Sequence, residues 1–156
     1  MCVSVAIVWL LLATLVTTLT GPSVERTAGR LRLELTLTKG SYVVGEPVGA
    51  TLTVRAEGEA PLRVQFASGQ RFDLIVRRRG ALIWRWAHDK AFTQMVQEAT
   101  LRPGETLSFR ASWPQVDLQG RRVEPGEYEI VGVFLARGAD LPGGLETPPL
   151  GFRVRE

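Results

Sequence analysis

The chain has 156 residues, a formal net charge of +3, a single histidine and a single cysteine, Cys2. That charge is too small for a nucleic-acid-binding protein without a basic stripe, and one cysteine excludes an intramolecular disulfide, so a folded domain here must rest on its hydrophobic core. One histidine likewise excludes a multi-histidine metal site, and no cofactor is expected.

Residues Cys2 to Leu19 carry no charge and end at Thr20-Gly21-Pro22, so they read as a secretory signal or a single membrane anchor rather than as part of the fold. The signal reading lacks a basic n-region. The anchor reading has enough length, but Arg26, Arg30 and Arg32 all lie after it, which by the positive-inside rule would turn the domain toward the cytoplasm. The expectation is a domain that is exported or anchored facing outward, with a cytoplasm-facing anchor as the alternative. On this reading residues 1–29 are leader and linker and residues 30–156 are the domain, one of ordinary size with a single core.

From Leu31 the pattern has period two. Leu31, Leu33, Leu35 and Leu37 alternate with Arg32, Glu34, Thr36 and Thr38, as on a strand with one buried face. Tyr42 to Pro47 reads as a connection, and Val48, Ala50, Leu52 and Val54 then repeat the alternation. After a turn at Glu57 to Pro61, Leu62, Val64 and Phe66 form a third inward-facing set. Phe72, Leu74 and Val76 predict a fourth strand closed by Arg79-Gly80, with the run Arg77-Arg78-Arg79 a solvated hairpin end. Leu82 to Trp86 predicts a fifth, with Leu82, Trp84 and Trp86 on one face. Ala87 to Gln94 reads as a loop. Further strands are expected near Met95 to Leu101, at Thr106 to Trp113, after Pro125-Gly126 and at Leu150 to Val154, with Ala136 to Pro149 left as loop.

Eight or nine short strands at regular spacing, without a strong helical signal, predict an all-β fold: an immunoglobulin-like antiparallel β-sandwich, preceded by the apolar leader helix. Tyr128, placed at the start of a late strand, fits the tyrosine whose hydroxyl bonds back to the loop backbone in such sandwiches.

No catalytic constellation is present. His88 would need a distant serine and an aspartate other than Asp89, because neighbours on an extended chain point apart. Neither GxGxxG nor GxxxxGK[ST] occurs.

The densest stretch is Phe66 to Gln94. It supplies Phe66, Ser68-Gly69-Gln70, Phe72-Asp73, Trp84-Arg85-Trp86, Asp89 and Phe92-Thr93-Gln94, followed downstream by Leu101 to Glu105, Trp113 and Gly120 to Tyr128. In order and spacing this resembles the BsuPI-type intracellular proteinase inhibitor family. The resemblance implies an immunoglobulin-like domain that binds and inhibits a serine protease of the subtilisin type, and the chain is expected to be a non-enzymatic binding module and a monomer. The residues expected to touch that partner are Ser68, Gln70, Arg71, Arg85, His88, Asp89, Phe92 and Gln94, which combine hydrogen-bonding, cationic or aromatic groups with loop settings. The competing reading, from a different class, is a structural or assembly domain of the bacterial cell envelope that has kept the fold and lost inhibition.

Overall fold

The leucine alternation survives folding intact: Leu31, Leu33, Leu35 and Leu37 are all fully buried while Arg32 and Glu34 between them are exposed. The computed structural model describes residues 21–138, 141 and 143–156. The apolar leader, residues 2–19, lies outside the described residues.

The described chain is all-β. Its strands are β1 (Ser23–Ala28), β2 (Leu31–Leu37), β3 (Ser41–Val43), β4 (Val48–Ala56), β5 (Leu62–Phe66), β6 (Phe72–Arg78), β7 (Ala81–Arg85), β8 (Gln97–Leu101), β9 (Thr106–Trp113), β10 (Gly126–Phe134), β11 (Leu145–Glu146) and β12 (Leu150–Arg155). One sheet runs β1-β2-β4-β9. A second runs β3-β12-β10-β6-β7, with β11 added on β10, and β5 pairs with β8 as a separate ribbon.

The inward faces of the two main sheets meet in one core. Phe109 on β9 stacks on Phe72 of β6 with ring centroids 4.8 Å apart, and Trp113 lies 5.3 Å from Tyr128 of β10 and 5.9 Å from Phe152 of β12. The sheets approach closely at Gly132 on β10, where a Cβ would stand 2.9 Å from Leu52 Cδ1 and 3.4 Å from Leu35 Cδ1. Glycine there lets β10 settle against the leucine face of β2 and β4.

Several elements depart from the sequence expectation. Ser23–Ala28, placed in the linker, pairs antiparallel with β2 from Ser23↔Thr36 to Ala28↔Leu31. Its side chains are mostly exposed, so it shows no burial alternation and depends on backbone pairing. Tyr42 and Val43, read as the start of a connection, belong instead to β3 because Tyr42 is fully buried; its hydroxyl bonds to Thr38 Oγ1 at 3.0 Å and accepts from Lys39 N at 2.9 Å. β3 runs parallel to β12, so the pairing is not wholly antiparallel. β11 arises inside the stretch expected to be loop. β5 does not join its chain neighbour β4 but pairs with β8.

Arg79 (φ 50°) and Gly80 (φ 79°) form the tight turn between β6 and β7, the left-handed pair that a two-residue hairpin requires. The basic run ahead of it is not merely solvated. Arg78 donates to Pro125 O at 3.2 Å and lies over the Tyr128 ring.

Candidate functional site: two joined loops at the end of β6

The turn just described is followed by a register shift. Val76 pairs with Trp84 and Arg77 with Leu82, so Ile83 is the extra residue of a bulge. The shift divides the side chains expected on one face: Trp84 opposes Val76 and is buried at 9% exposure, whereas Leu82 opposes Arg77 and is 48% exposed. Trp86 leaves the strand altogether and begins a 3₁₀ turn, Trp86–Asp89.

That turn grips the start of β6 from both faces. On the core side, Trp86 stacks on Phe72 at 4.2 Å. On the opposite side, reached because successive strand residues alternate, the Asp73 carboxylate is 1% exposed. Its Oδ2 accepts from Arg85 Nε at 2.9 Å and Nη2 at 2.5 Å; its Oδ1 accepts from Leu74 N at 2.9 Å and Ala87 N at 3.0 Å. Four donors around one carboxylate replace the water it has lost, which is what makes a buried charge tolerable. Asp73 therefore fixes where Arg85 and the Trp86–Asp89 turn sit.

The two expected contact loops meet beside this anchor. Gly69 N donates to Thr93 O at 2.8 Å, joining segment 67–71 to segment 90–96 by backbone. Within the first, Ser68 Oγ accepts from Gln70 N at 3.1 Å, a side-chain turn that shapes the loop. Gln70 Nε2 donates to Phe72 O at 3.0 Å. Arg71 spreads over the Phe66 ring, 4.1 Å from its centroid, and donates through Nη2 to Gln97 Oε1 at 2.7 Å.

Within the second, Phe92 is half-buried with its ring 5.9 Å from that of Trp86, and Gln94 Nε2 donates to Phe92 O at 3.1 Å. His88, Asp89 and Gln94 are exposed. Asp89 pairs with Lys90 Nζ at 2.9 Å, and that hydrogen bond holds its carboxyl below the usual aspartate range. Lys90 Nζ also lies 4.7 Å from the Trp86 ring centroid. Rings connect the two loops through the core edge: Phe66 to Phe134, Phe134 to Phe109, Phe109 to Phe72, and Phe72 to Trp86.

The eight candidate residues thus fall into two groups. Ser68, Gln70, Arg71 and Arg85 spend their polar groups inside the protein, shaping the surface. His88, Asp89, Phe92 and Gln94 sit on or beside the second loop. Sequence reasoning left Asp73 out of the site, although a charged residue between Phe72 and Leu74 was its available signal. It also left out Met95 and Val96, which end the second loop and are 65% and 66% exposed. Among the described residues no group of three histidine, cysteine, aspartate or glutamate side chains is placed to hold a metal ion.

Fold and site together define a small all-β domain that presents a braced, two-loop surface with an aromatic and cationic rim. The chain matches the family described as BsuPI, intracellular proteinase inhibitor, over residues 35–139, and it belongs to that family. No curated protein matches it. Among solved structures it is similar to the C-terminal domain of wzt (TM-score 0.50, 9% identity, 86% of this chain and 78% of that one). It is also similar to Spo0M, the sporulation control protein from Bacillus subtilis (TM-score 0.48, 18% identity, 82% and 50%). A third is a β-glucosidase, EmGH1, from Erythrobacter marinus (TM-score 0.43, 19% identity, 78% and 15%). The chain spans only about 15% of that glucosidase and half of Spo0M. At these identities the likeness concerns fold alone.

The family assignment corrects one expectation. The apolar stretch at residues 2–19 pointed to an exported or membrane-anchored domain, whereas the family is one of intracellular inhibitors. An uncharged run long enough to span a bilayer was the whole basis for that placement, and hydropathy alone does not specify a destination. No helix among the described residues is long and apolar enough to cross a membrane.

Proposed function

We propose that this protein inhibits a serine protease of the subtilisin type by binding, with no chemistry of its own, through the surface on which segments 67–71 and 90–96 meet. The observation that carries the reading is the Gly69 to Thr93 backbone bond. It makes two loops distant in sequence into one ledge, and a surface ordered before binding loses less conformational freedom when the partner arrives. His88, Asp89, Phe92 and Gln94 would contact the protease, and Gln70, Arg71 and Arg85 would set the edge of the ledge. The chain acts as a monomer, and residues 30–156 contain the part that binds.

The two facing sheets are read as an immunoglobulin-like sandwich. What supports this is Tyr128 at the start of β10, whose hydroxyl donates to Glu124 O at 2.6 Å, four residues upstream, the corner bond of that fold class.

The test is titration of the full chain into subtilisin, with hydrolysis of a chromogenic peptide as readout. Loss of activity that ends at one equivalent is expected. Full activity at micromolar protein would overturn the reading and favour a non-inhibitory assembly role.

A further inference from the structure

Met95 and Val96 are the most exposed large hydrophobic side chains among the described residues. Adjacent apolar side chains left in water forgo the transfer free energy of burial, and a partner that covers them would recover it. Core positions are within reach along the same segment: Phe92 lies half-buried beside Trp86 and Leu101 is buried. The chain nevertheless bends at Met95, turning the pair outward.

Both ends of this short stretch are tied to the same neighbouring segment. Upstream, Thr93 O accepts from Gly69 N at 2.8 Å. Downstream, Gln97 pairs with Phe66 in the β5–β8 ladder, and its Oε1 accepts from Arg71 Nη2 at 2.7 Å. Only Gln94, Met95 and Val96 lie between the two ties. The result is a braced, exposed bend carrying an apolar pair.

We infer that Gln94 to Val96 is the segment that enters the protease cleft, with the Met95 side chain seated in an apolar specificity pocket. The inference rests on the inhibitor reading above and deepens it by naming the residue that the protease reads. Serine proteases accept a peptide in extended form and select it largely by one side chain in one pocket. A long, unbranched thioether adapts to such a pocket. The braces serve inhibition in two ways. They hold the bend in its bound shape before contact, and they keep the two sides of the Met95–Val96 bond together whether or not it is cut.

The experiment uses the full chain as wild type, Met95→Asp and Met95→Lys, each titrated against subtilisin and against trypsin, whose pocket carries a carboxylate. Equal melting temperatures are expected, because Met95 contributes to no core. Met95→Asp should weaken inhibition of subtilisin by roughly 30-fold or more, the loss of a hot-spot side chain. Met95→Lys should do the same and acquire inhibition of trypsin, a gain that misfolding cannot mimic. If wild type inhibits subtilisin and both variants inhibit it equally well, the Met95 assignment fails while the inhibitor reading stands. If wild type inhibits neither enzyme, the inhibitor reading fails and this assignment with it. A variant that inhibits as wild type does but abolishes a dimer in sedimentation would make the pair a self-association surface, which also overturns the assignment.

Discussion

Asp73 and Arg85 form a one-sided ion pair: the carboxylate is 1% exposed, and the guanidinium that caps it through two hydrogen bonds is 47% exposed. The buried partner is the vulnerable one. Asp73→Ala removes the acceptor of four hydrogen bonds, two of them from backbone N–H groups, and should cost about 2 to 4 kcal/mol of stability. Arg85→Ala leaves the carboxylate with its two backbone donors and should cost less, about 1 to 2 kcal/mol. Urea unfolding measures both. Equal costs would show that the two backbone bonds to Asp73 add nothing beyond its pairing with Arg85.

The bulge at Ile83 makes the two neighbouring tryptophans unequal. Trp84 is core, so Trp84→Ala should cost about 3 to 5 kcal/mol. Trp86 is half-buried and held by its stack on Phe72, so Trp86→Ala should cost about 1 to 3 kcal/mol. It should also loosen Phe92 and weaken protease binding, which Trp84→Ala at permissive temperature should leave nearly intact. Matching losses of stability in the two variants would contradict the bulge register.

Tyr128 offers a pH test. Its hydroxyl is bonded to Glu124 O, and burial pushes its ionisation above the ordinary tyrosine range, partly offset by Arg78. An acid whose folded-state pKa is raised ionises first in the unfolded chain, so its contribution is complete below the unfolded value, about 10 for tyrosine, and is lost as pH climbs through the folded value. Tyr128→Phe should destabilise the domain by about 1 to 3 kcal/mol at neutral pH and flatten the decline above pH about 10. An unchanged melting temperature at neutral pH would show that the corner bond contributes nothing.

β1 separates two choices of domain boundary. A chain starting at Gly21 keeps every described strand and should unfold as the full chain does. One starting at Arg30 loses β1 and bares the edge of β2, which should cost about 1 to 2 kcal/mol and promote edge-to-edge association. Unfolding curves and sedimentation of both truncations measure the difference. Identical behaviour would show β1 to be a dispensable addition.

The sequence by itself determined the local pattern. Period-two burial in Leu31 to Leu37, in Val48 to Val54 and in Phe72 to Val76 was readable because each strand has one wet face and one dry one, and a side chain's polarity then reports its direction. The family, too, was carried by residue order alone, in Ser68-Gly69-Gln70, Trp84-Arg85-Trp86 and Phe92-Thr93-Gln94. What only tertiary structure decided were relations between segments far apart. Strand β3 exists because Tyr42 finds a buried place beside Phe152 and a parallel neighbour in β12, and nothing in three residues announces that. Ile83 bulges because β6 and β7 must pair on both sides of it, so Leu82 turns out and Trp84 turns in. Asp73 stands where alternation points a side chain away from the core, and it is buried only because Arg85 and the Trp86–Asp89 turn fold over it. Periodicity is a property of one strand, whereas the burial of a charge depends on which donors another segment brings to it.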